Sequence, residues 1–268
     1  MSIRGGFDVI DPRYQALYDR AVEVLTADPR VLSVEAGGSV RAGTADEWSD
    51  LDLEVVVEAE HHDAFLADRD TWLSAITPTV FARTPIAPFV INTVTDDGLT
   101  LDIAVWAGQV PEWPTPPVRY TVGMLSGSPF DDVGAALEYA VAEQLRGMNG
   151  PLISLIEREE HLRHLTGIVH LVGLLTTVFL AETGAVPPGK QWNGTYTEEQ
   201  RAAVAALPPV SATREGLLAF GMGLAELLIT RARPLFLRYD LEWPADLARV
   251  TAARVEDQLG IEISAWCH

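Results

Sequence analysis

The amino-acid sequence predicts an α+β fold in which strands and helices are interleaved in an N-terminal part and helices alone fill a C-terminal part. Three observations predict it. Apolar residues alternate with a period of two in several runs before about Ala107. An Asp97-Gly98 pair separates two of these runs, the signal of a hairpin. Beyond Ala107, apart from a short VRYTV run, apolar residues recur at helical spacing. With 268 residues, 48% of them apolar and 21% charged, the chain has the composition of a folded protein and the length for two modest cores.

Asp11-Pro12 reads as an N-cap followed by proline at the first helical position, and Tyr14, Leu17, Tyr18, Ala21, Val22 and Leu25 then define a first helix ending near Asp28-Pro29. VLSVEA (31–36) and LDLEVVVEA (51–59) read as strands joined by the glycine-rich, polar segment GGSVRAGTADEWSD. Residues 61–76 fit a helix, followed by TVFAR, PFVINTV, the Asp97-Gly98 turn and LTLDIAVWA. The segment GQVPEWPTPP (108–117) holds four prolines and marks a boundary between domains at 1–112 and 113–268. Helices are then expected over 133–145, 152–182, 197–207, 214–237 and 244–259, with one prolonged break, GAVPPGKQWNGTY, at 184–196.

Charge limits the partners. Against 38 acidic residues stand 19 basic ones, a formal charge of −19, and no basic stripe offsets it. Nucleic acid is therefore disfavoured, while a small cation is drawn to such a surface. The single cysteine, Cys267, cannot form an internal disulfide, which fits a reducing compartment, and the N-terminus has no apolar segment of the secretory kind, so a cytoplasmic location is expected. The run Leu165–Ala181 is short for a membrane span and contains His170, three threonines and two glycines, so it reads as a buried bundle helix with no membrane involved.

Candidate chemistry concentrates between residues 37 and 102. Asp50 and Asp52 flank Leu51 at the start of a strand, so the period of two sets both carboxylates on one face. Two like charges so close raise one another's pKa unless a cation joins them, and a pair of oxygen ligands suits Mg²⁺ best. Gly37-Gly38-Ser39 follows the preceding strand, where small residues let backbone N–H groups approach a phosphate and the serine hydroxyl adds a donor. Asp102 lies inside an otherwise apolar strand, an expensive position without a partner such as a metal, and strand pairing could bring it beside Asp50 and Asp52. The histidines give no zinc pattern: His61 and His62 are adjacent and point apart on a helix, and His161 and His164 lack companions at metal-ligand spacing.

Taken in order, a strand, Gly-Ser, a ten-residue gap, Asp-x-Asp opening a β-branched strand and a later acid in a third strand resemble the polymerase β-like nucleotidyltransferase superfamily. The resemblance covers about residues 15–107. The helical remainder is similar in architecture to the second domain of bacterial nucleotidyltransferases that modify aminoglycoside or lincosamide antibiotics. It implies an N-terminal nucleotidyltransferase domain with a mixed β-sheet flanked by helices, and a C-terminal all-helical, substrate-binding bundle. Further implied are Mg²⁺ held by Asp50, Asp52 and Asp102, and a nucleotide, most simply ATP, bound by Gly38, Ser39, Arg41, Ser49 and Lys190. The implied reaction transfers a nucleotidyl group to a hydroxyl of a small, cationic acceptor and releases pyrophosphate, in the manner of antibiotic resistance enzymes. Asp102 is the candidate proton acceptor, with Glu54, Glu143 and Glu157 as other candidates.

One departure concerns arginine: where many members carry it immediately before the glycine that follows Gly-Ser, this chain has Ala42 before Gly43, and the arginine is Arg41. Lys190 sits in PPGKQW, similar to a Lys-Trp segment that some relatives place near the phosphates, and Trp192 is a candidate to stack on the base or to anchor the loop. Arg158 and Arg163 read as a solvated or ion-paired helix face. The alternative reading is a non-catalytic regulatory module of the antitoxin kind that binds nucleotide or protein, which would be shorter and lack so long a helical part.

Overall fold

A computed structural model describes residues 7–84, 89–110, 132–184, 192–263 and 266, without the side chains of residues 192 and 193. The chain forms two compact units, Met1–Val118 and Arg119–His268. The expected boundary at 112/113 and the VRYTV run lie outside the described residues.

In the first unit, helix α1 (Arg13–Thr26) precedes strand β1 (Val31–Ala36), short helix α2 (Gly38–Ala42) and strand β2 (Leu51–Val57). Asp11 opens α1 as the sequence implies, one residue further out: its carboxylate accepts the Arg13 N–H at 3.0 Å, while Pro12 occupies the cap position. After a 3₁₀ turn come α3 (His62–Ala67), α4 (Arg69–Ile76), β3 (Thr79–Arg83), β4 (Val90–Thr95) and β5 (Thr100–Ala107). The five strands form one mixed sheet in the order β1-β2-β5-β4-β3, in which β2 and β5 run parallel and every other pair antiparallel.

Alternation along β2 and β5 divides the sheet into two faces. Leu51, Leu53, Val55 and Val57, with Leu101, Ile103 and Val105, are buried in one core with Leu17, Ala21 and Leu25 of α1 and with Phe65, Leu73 and Ile76 of α3 and α4. At roughly 1.5–3 kcal/mol for each large side chain buried, this apolar face fixes the register, because a one-residue slip would put Asp52 and Asp102 into the core. Tyr14, itself buried, ties α1 to the start of β5 by accepting the Thr100 N–H at 3.2 Å.

The single helix expected over 61–76 is broken at Asp68. The indole N–H of Trp72 donates to the Phe65 carbonyl at 3.0 Å, the two rings stack at 5.2 Å, and Arg30 holds Asp68 at 2.7 Å. A carbonyl released from the helical ladder is thus satisfied by a side chain, which makes the break inexpensive.

The second unit is helical throughout its described residues: α5 (Val133–Gly147), a π-helical turn (Met148–Leu152), α6 (Ile153–Glu157), α7 (His161–Thr183), α8 (Trp192–Thr195), α9 (Glu198–Ala205), α10 (Arg214–Arg238) and α11 (Ala245–Leu259). Side-chain caps start three of them, Asp132 on α5, Thr197 in a reciprocal capping box with Gln200 on α9, and Thr213 on α10. The helix expected over 152–182 is two helices. Glu159 adopts a left-handed φ of 56°, the Glu160 N–H reaches back to the Leu155 carbonyl at 2.9 Å and the Glu159 N–H to Ile156 at 3.1 Å. That pairing is a Schellman stop built on glutamate instead of glycine, which explains why no sequence signal announced it. Helix α7 is long and apolar enough to cross a membrane by length and composition, and it packs against α5 and α10 through a stripe that includes Ile168, Leu175 and Val178.

Candidate active site

The site begins where β1 ends. The Gly37 N–H donates to the Asp52 carbonyl at 2.8 Å, so the chain leaves β1 pressed against β2 and turns into α2 at Gly38, whose φ is +49°. Only glycine fits there. A Cβ on Gly38 would lie 1.7 Å from Oδ2 of Asp52, and one on Gly37 would lie 3.3 Å from Cβ of Asp52 and Cγ of Glu54. The Gly-Gly-Ser segment, expected as a polar turn, is therefore the entry to a five-residue helix whose backbone lies directly on a carboxylate.

The carboxylates gather on the sheet face opposite the apolar core. Asp52 of β2 pairs in register with Asp102 of β5, and Asp102 with Asn92 of β4. Glu54, on the same face of β2, lies opposite Glu35 of β1, and Asp50 stands just before β2. Burial first, then the fields of Asp50, Asp102 and Glu54, push the Asp52 carboxyl up to about 7. Oδ1 of Asp102 is shielded from solvent. The structure thus brings Gly38, Asp52 and Asp102 together, with Asp50 close enough in charge to act on Asp52.

Other expected site residues have partners of their own. Arg41, projecting from α2, forms ion pairs with Glu54 and, at 3.3 Å, with Glu35, so part of the negative charge is already offset by this side chain. Ser49 is buried, and its hydroxyl donates to Asp46 Oδ1 at 3.0 Å while accepting the Asp46 N–H at 3.0 Å, which closes the turn that delivers Asp50. Ser39 lies in the first turn of α2, half-buried. Of the other candidate acids, Glu54 is held by Arg41, Glu143 by Arg146 at 3.0 Å and Glu157 by Arg214 at 2.8 Å. Lys190 and the Trp192 side chain lie outside the described residues.

Oxygen ligands on a negatively charged, half-buried face suit a hard divalent cation, and the raised Asp52 pKa is the mark of charge that a cation would relieve. Asp50 and Asp52, with Asp102 in register beside Asp52, could hold such a cation. A second acidic group lies past the C-terminal end of β2, where one ligand atom each of Glu58, Glu60 and His61 lie within 4.8 Å of one another. Reading His61 only against His62 missed it; His62 instead places Nε2 3.0 Å from the Val105 carbonyl. Sequence reading also passed over Asn92, buried beside Asp102, although one amide inside the apolar run PFVINTV is a signal of the same kind as Asp102 itself.

Residues 20–100 match the family model described as a nucleotidyltransferase domain. The matched span contains Gly38, Asp50 and Asp52 and ends two residues before Asp102. No curated protein matches the chain. Among solved structures the chain is similar to an aminoglycoside 6-adenyltransferase from Bacillus subtilis, at 11% identity and a TM-score of 0.37, over 90% of this chain and 96% of that one.

Proposed function

We propose that this chain, whose residues 20–100 match a nucleotidyltransferase domain, carries out the Mg²⁺-dependent transfer of AMP from ATP to a hydroxyl of a small, cationic acceptor, with release of pyrophosphate. The observation that carries the reading is the close approach of the Gly38 backbone to the Asp52 carboxylate, with Asp102 in register beside it. The glycine turn after β1 and the carboxylates of β2 and β5 thereby adjoin one another.

In this reading the backbone at Gly37 and Gly38 and the Ser39 hydroxyl bind the triphosphate, and Asp50 and Asp52 hold the cation. Bound there, the cation would neutralise charge on the attacking and leaving oxygens. Asp102 takes the proton of the acceptor hydroxyl as the new bond forms between that oxygen and the α-phosphorus and the bond to the bridging oxygen breaks, so that pyrophosphate departs. Positioning and electrostatics then supply most of the rate. Arg41 shifts from Glu54 towards phosphate when nucleotide arrives, and Ser49 acts through the turn that sets Asp50. Lys190 contributes a further phosphate contact. A formal charge of −19 supports a cationic acceptor over a polyanion. The chain works in the cytoplasm, and aminoglycosides and lincosamides are the first acceptors to try, which would make the role antibiotic resistance.

The test is pyrophosphate release from Mg·ATP with pooled aminoglycosides and lincosamides, beside Asp52→Asn. Release that requires both an acceptor and Asp52 is expected. Release that survives Asp52→Asn would overturn the assignment of the site.

A further inference from the structure

Asn92 stands beside Asp102 in the sheet, and the chemistry proposed above gives it no part. It is 5% exposed, and among the described residues its amide has no hydrogen-bond partner. Val90 and Val94, its neighbours on the same face of β4, carry no polar side chain, and Arg83 opposite it on β3 supplies no bond. The amide atoms are nonetheless not sealed from solvent, as the unpartnered Thr100 hydroxyl two residues before Asp102 is. A primary amide offers two donors and an acceptor, and one left without partners in a sheet calls for an explanation.

The register of β4 on β5 fixes where that amide lies. The Val105 N–H donates to the Phe89 carbonyl at 2.8 Å and the Thr95 N–H to the Leu99 carbonyl at 2.9 Å, so the directly opposed residues 89 and 105, and 95 and 99, are hydrogen-bonded pairs of the ladder. Alternation between them makes Asn92 and Asp102 a non-hydrogen-bonded pair, the kind whose side chains approach most closely, with Cβ atoms about 4.5–5.5 Å apart. Both residues belong to the carboxylate face of the sheet. An amide and a carboxylate side by side at that spacing match two polar groups carried on adjacent carbon atoms of one small molecule.

Resting on the nucleotidyl-transfer reading, we propose that Asn92 is a specificity-determining residue for the acceptor. While Asp102 takes the proton of the reacting hydroxyl, the Asn92 amide hydrogen-bonds a second polar group, a hydroxyl or an amine, on the adjacent carbon. The acceptor is then a vicinal diol or a vicinal amino alcohol. An amide serves either group because it both donates and accepts. An acceptor without the second group leaves the amide unpaired, which is how a polar site rejects the analogue that lacks a hydrogen-bonding group. The role belongs to acceptor binding and not to holding Asp102, since the Asn92 amide makes no hydrogen bond to that carboxylate.

The test is steady-state pyrophosphate release from Mg·ATP by the full chain over a range of concentrations of pooled aminoglycosides and lincosamides, with trans-2-aminocyclohexanol, trans-1,2-cyclohexanediol and cyclohexanol as competitors. In the native chain at least one of the two disubstituted rings should inhibit about tenfold more strongly than cyclohexanol, and the stronger of the two tells amine from hydroxyl. Asn92→Ala removes an amide with no protein partner, so it should keep the melting temperature. It should raise the apparent KM for the pool about tenfold, keep kcat and the KM for ATP within about twofold, and bring the three competitors to equal strength. A fall in kcat with the pool's KM unchanged would overturn the proposal in favour of a residue that positions Asp102. Cyclohexanol equal to both other competitors in the native chain would overturn it even if the variant did not fold. A native chain that releases no pyrophosphate refutes the nucleotidyl-transfer reading itself, and this inference falls with it.

Discussion

Replacing Gly38 by alanine tests the link between backbone and carboxylate. The added Cβ would lie 1.7 Å from Oδ2 and 2.6 Å from Cγ of Asp52, so the carboxylate must retreat by about 1.5 Å to restore an ordinary contact. The φ of +49° adds a penalty of ~1–2 kcal/mol for any residue with a Cβ. A reacting geometry misplaced by ~1 Å costs on the order of 10²-fold in rate. Gly43→Ala provides the control, because Gly43 has a φ of +70° and nothing within 4 Å of its Cβ position, which gives the same backbone penalty without the clash. Melting curves and steady-state pyrophosphate release would be measured on both. Each variant should lose a few degrees of melting temperature. Gly38→Ala should lose about 100-fold or more in kcat/KM, and Gly43→Ala no more than about threefold. Equal losses of activity in the two variants would refute the reasoning, since strain alone would then explain both.

The Asp52 carboxyl, pushed up to about 7 from 3.8, makes the folded state bind its proton more tightly than the unfolded chain does, so stability falls as pH rises through that window. Asp52→Asn, measured without metal, should therefore melt several degrees above the native chain at pH 8 and show no gain at pH 4, and Mg²⁺ at pH 8 should raise the melting temperature of the native chain only; a variant less stable at pH 8 would contradict the origin assigned to the shift. Arg41→Ala breaks ion pairs that are half-exposed and worth under ~1 kcal/mol, so melting should scarcely change. ATP binding, read by fluorescence titration, should weaken about tenfold through a lost charge-assisted bond. Tyr14→Phe removes the buried acceptor of the Thr100 N–H and should cost ~1–2 kcal/mol in urea unfolding while leaving pyrophosphate release unchanged.

Much of the fold was legible because its signals are local. The alternation in LDLEVVV and LTLDIAVW placed Asp52 and Asp102 on the polar face of their strands, and Asp97-Gly98 marked the turn between β4 and β5. The parallel pairing of β2 with β5, which sets the two acids side by side, joins residues 50 positions apart and has no local signal. The helix breaks were missed for a related reason. Asp68 ends α3 because Trp72 supplies a donor from the next turn, and Glu159 ends α6 in a conformation that sequence reading reserves for glycine or asparagine. In the site, Gly-Gly-Ser was visible as small residues, but the clash that makes Gly38 obligatory depends on where Asp52 Oδ2 lies. Arg41, a nucleotide-binding candidate in sequence, forms ion pairs with Glu54 and Glu35, which no local pattern announces.

The most direct test of the central claim follows the fate of the phosphorus atoms. ATP labelled at the α-phosphate and ATP labelled at the γ-phosphate would each be incubated with the full chain, Mg²⁺ and the acceptor that supports pyrophosphate release, and the acceptor isolated. Label from the α-position on the acceptor, with γ-label recovered only in pyrophosphate and neither transfer seen with Asp52→Asn, is the predicted result. Label from the γ-position on the acceptor would contradict it, for the chain would then be a phosphotransferase working from a nucleotidyltransferase fold.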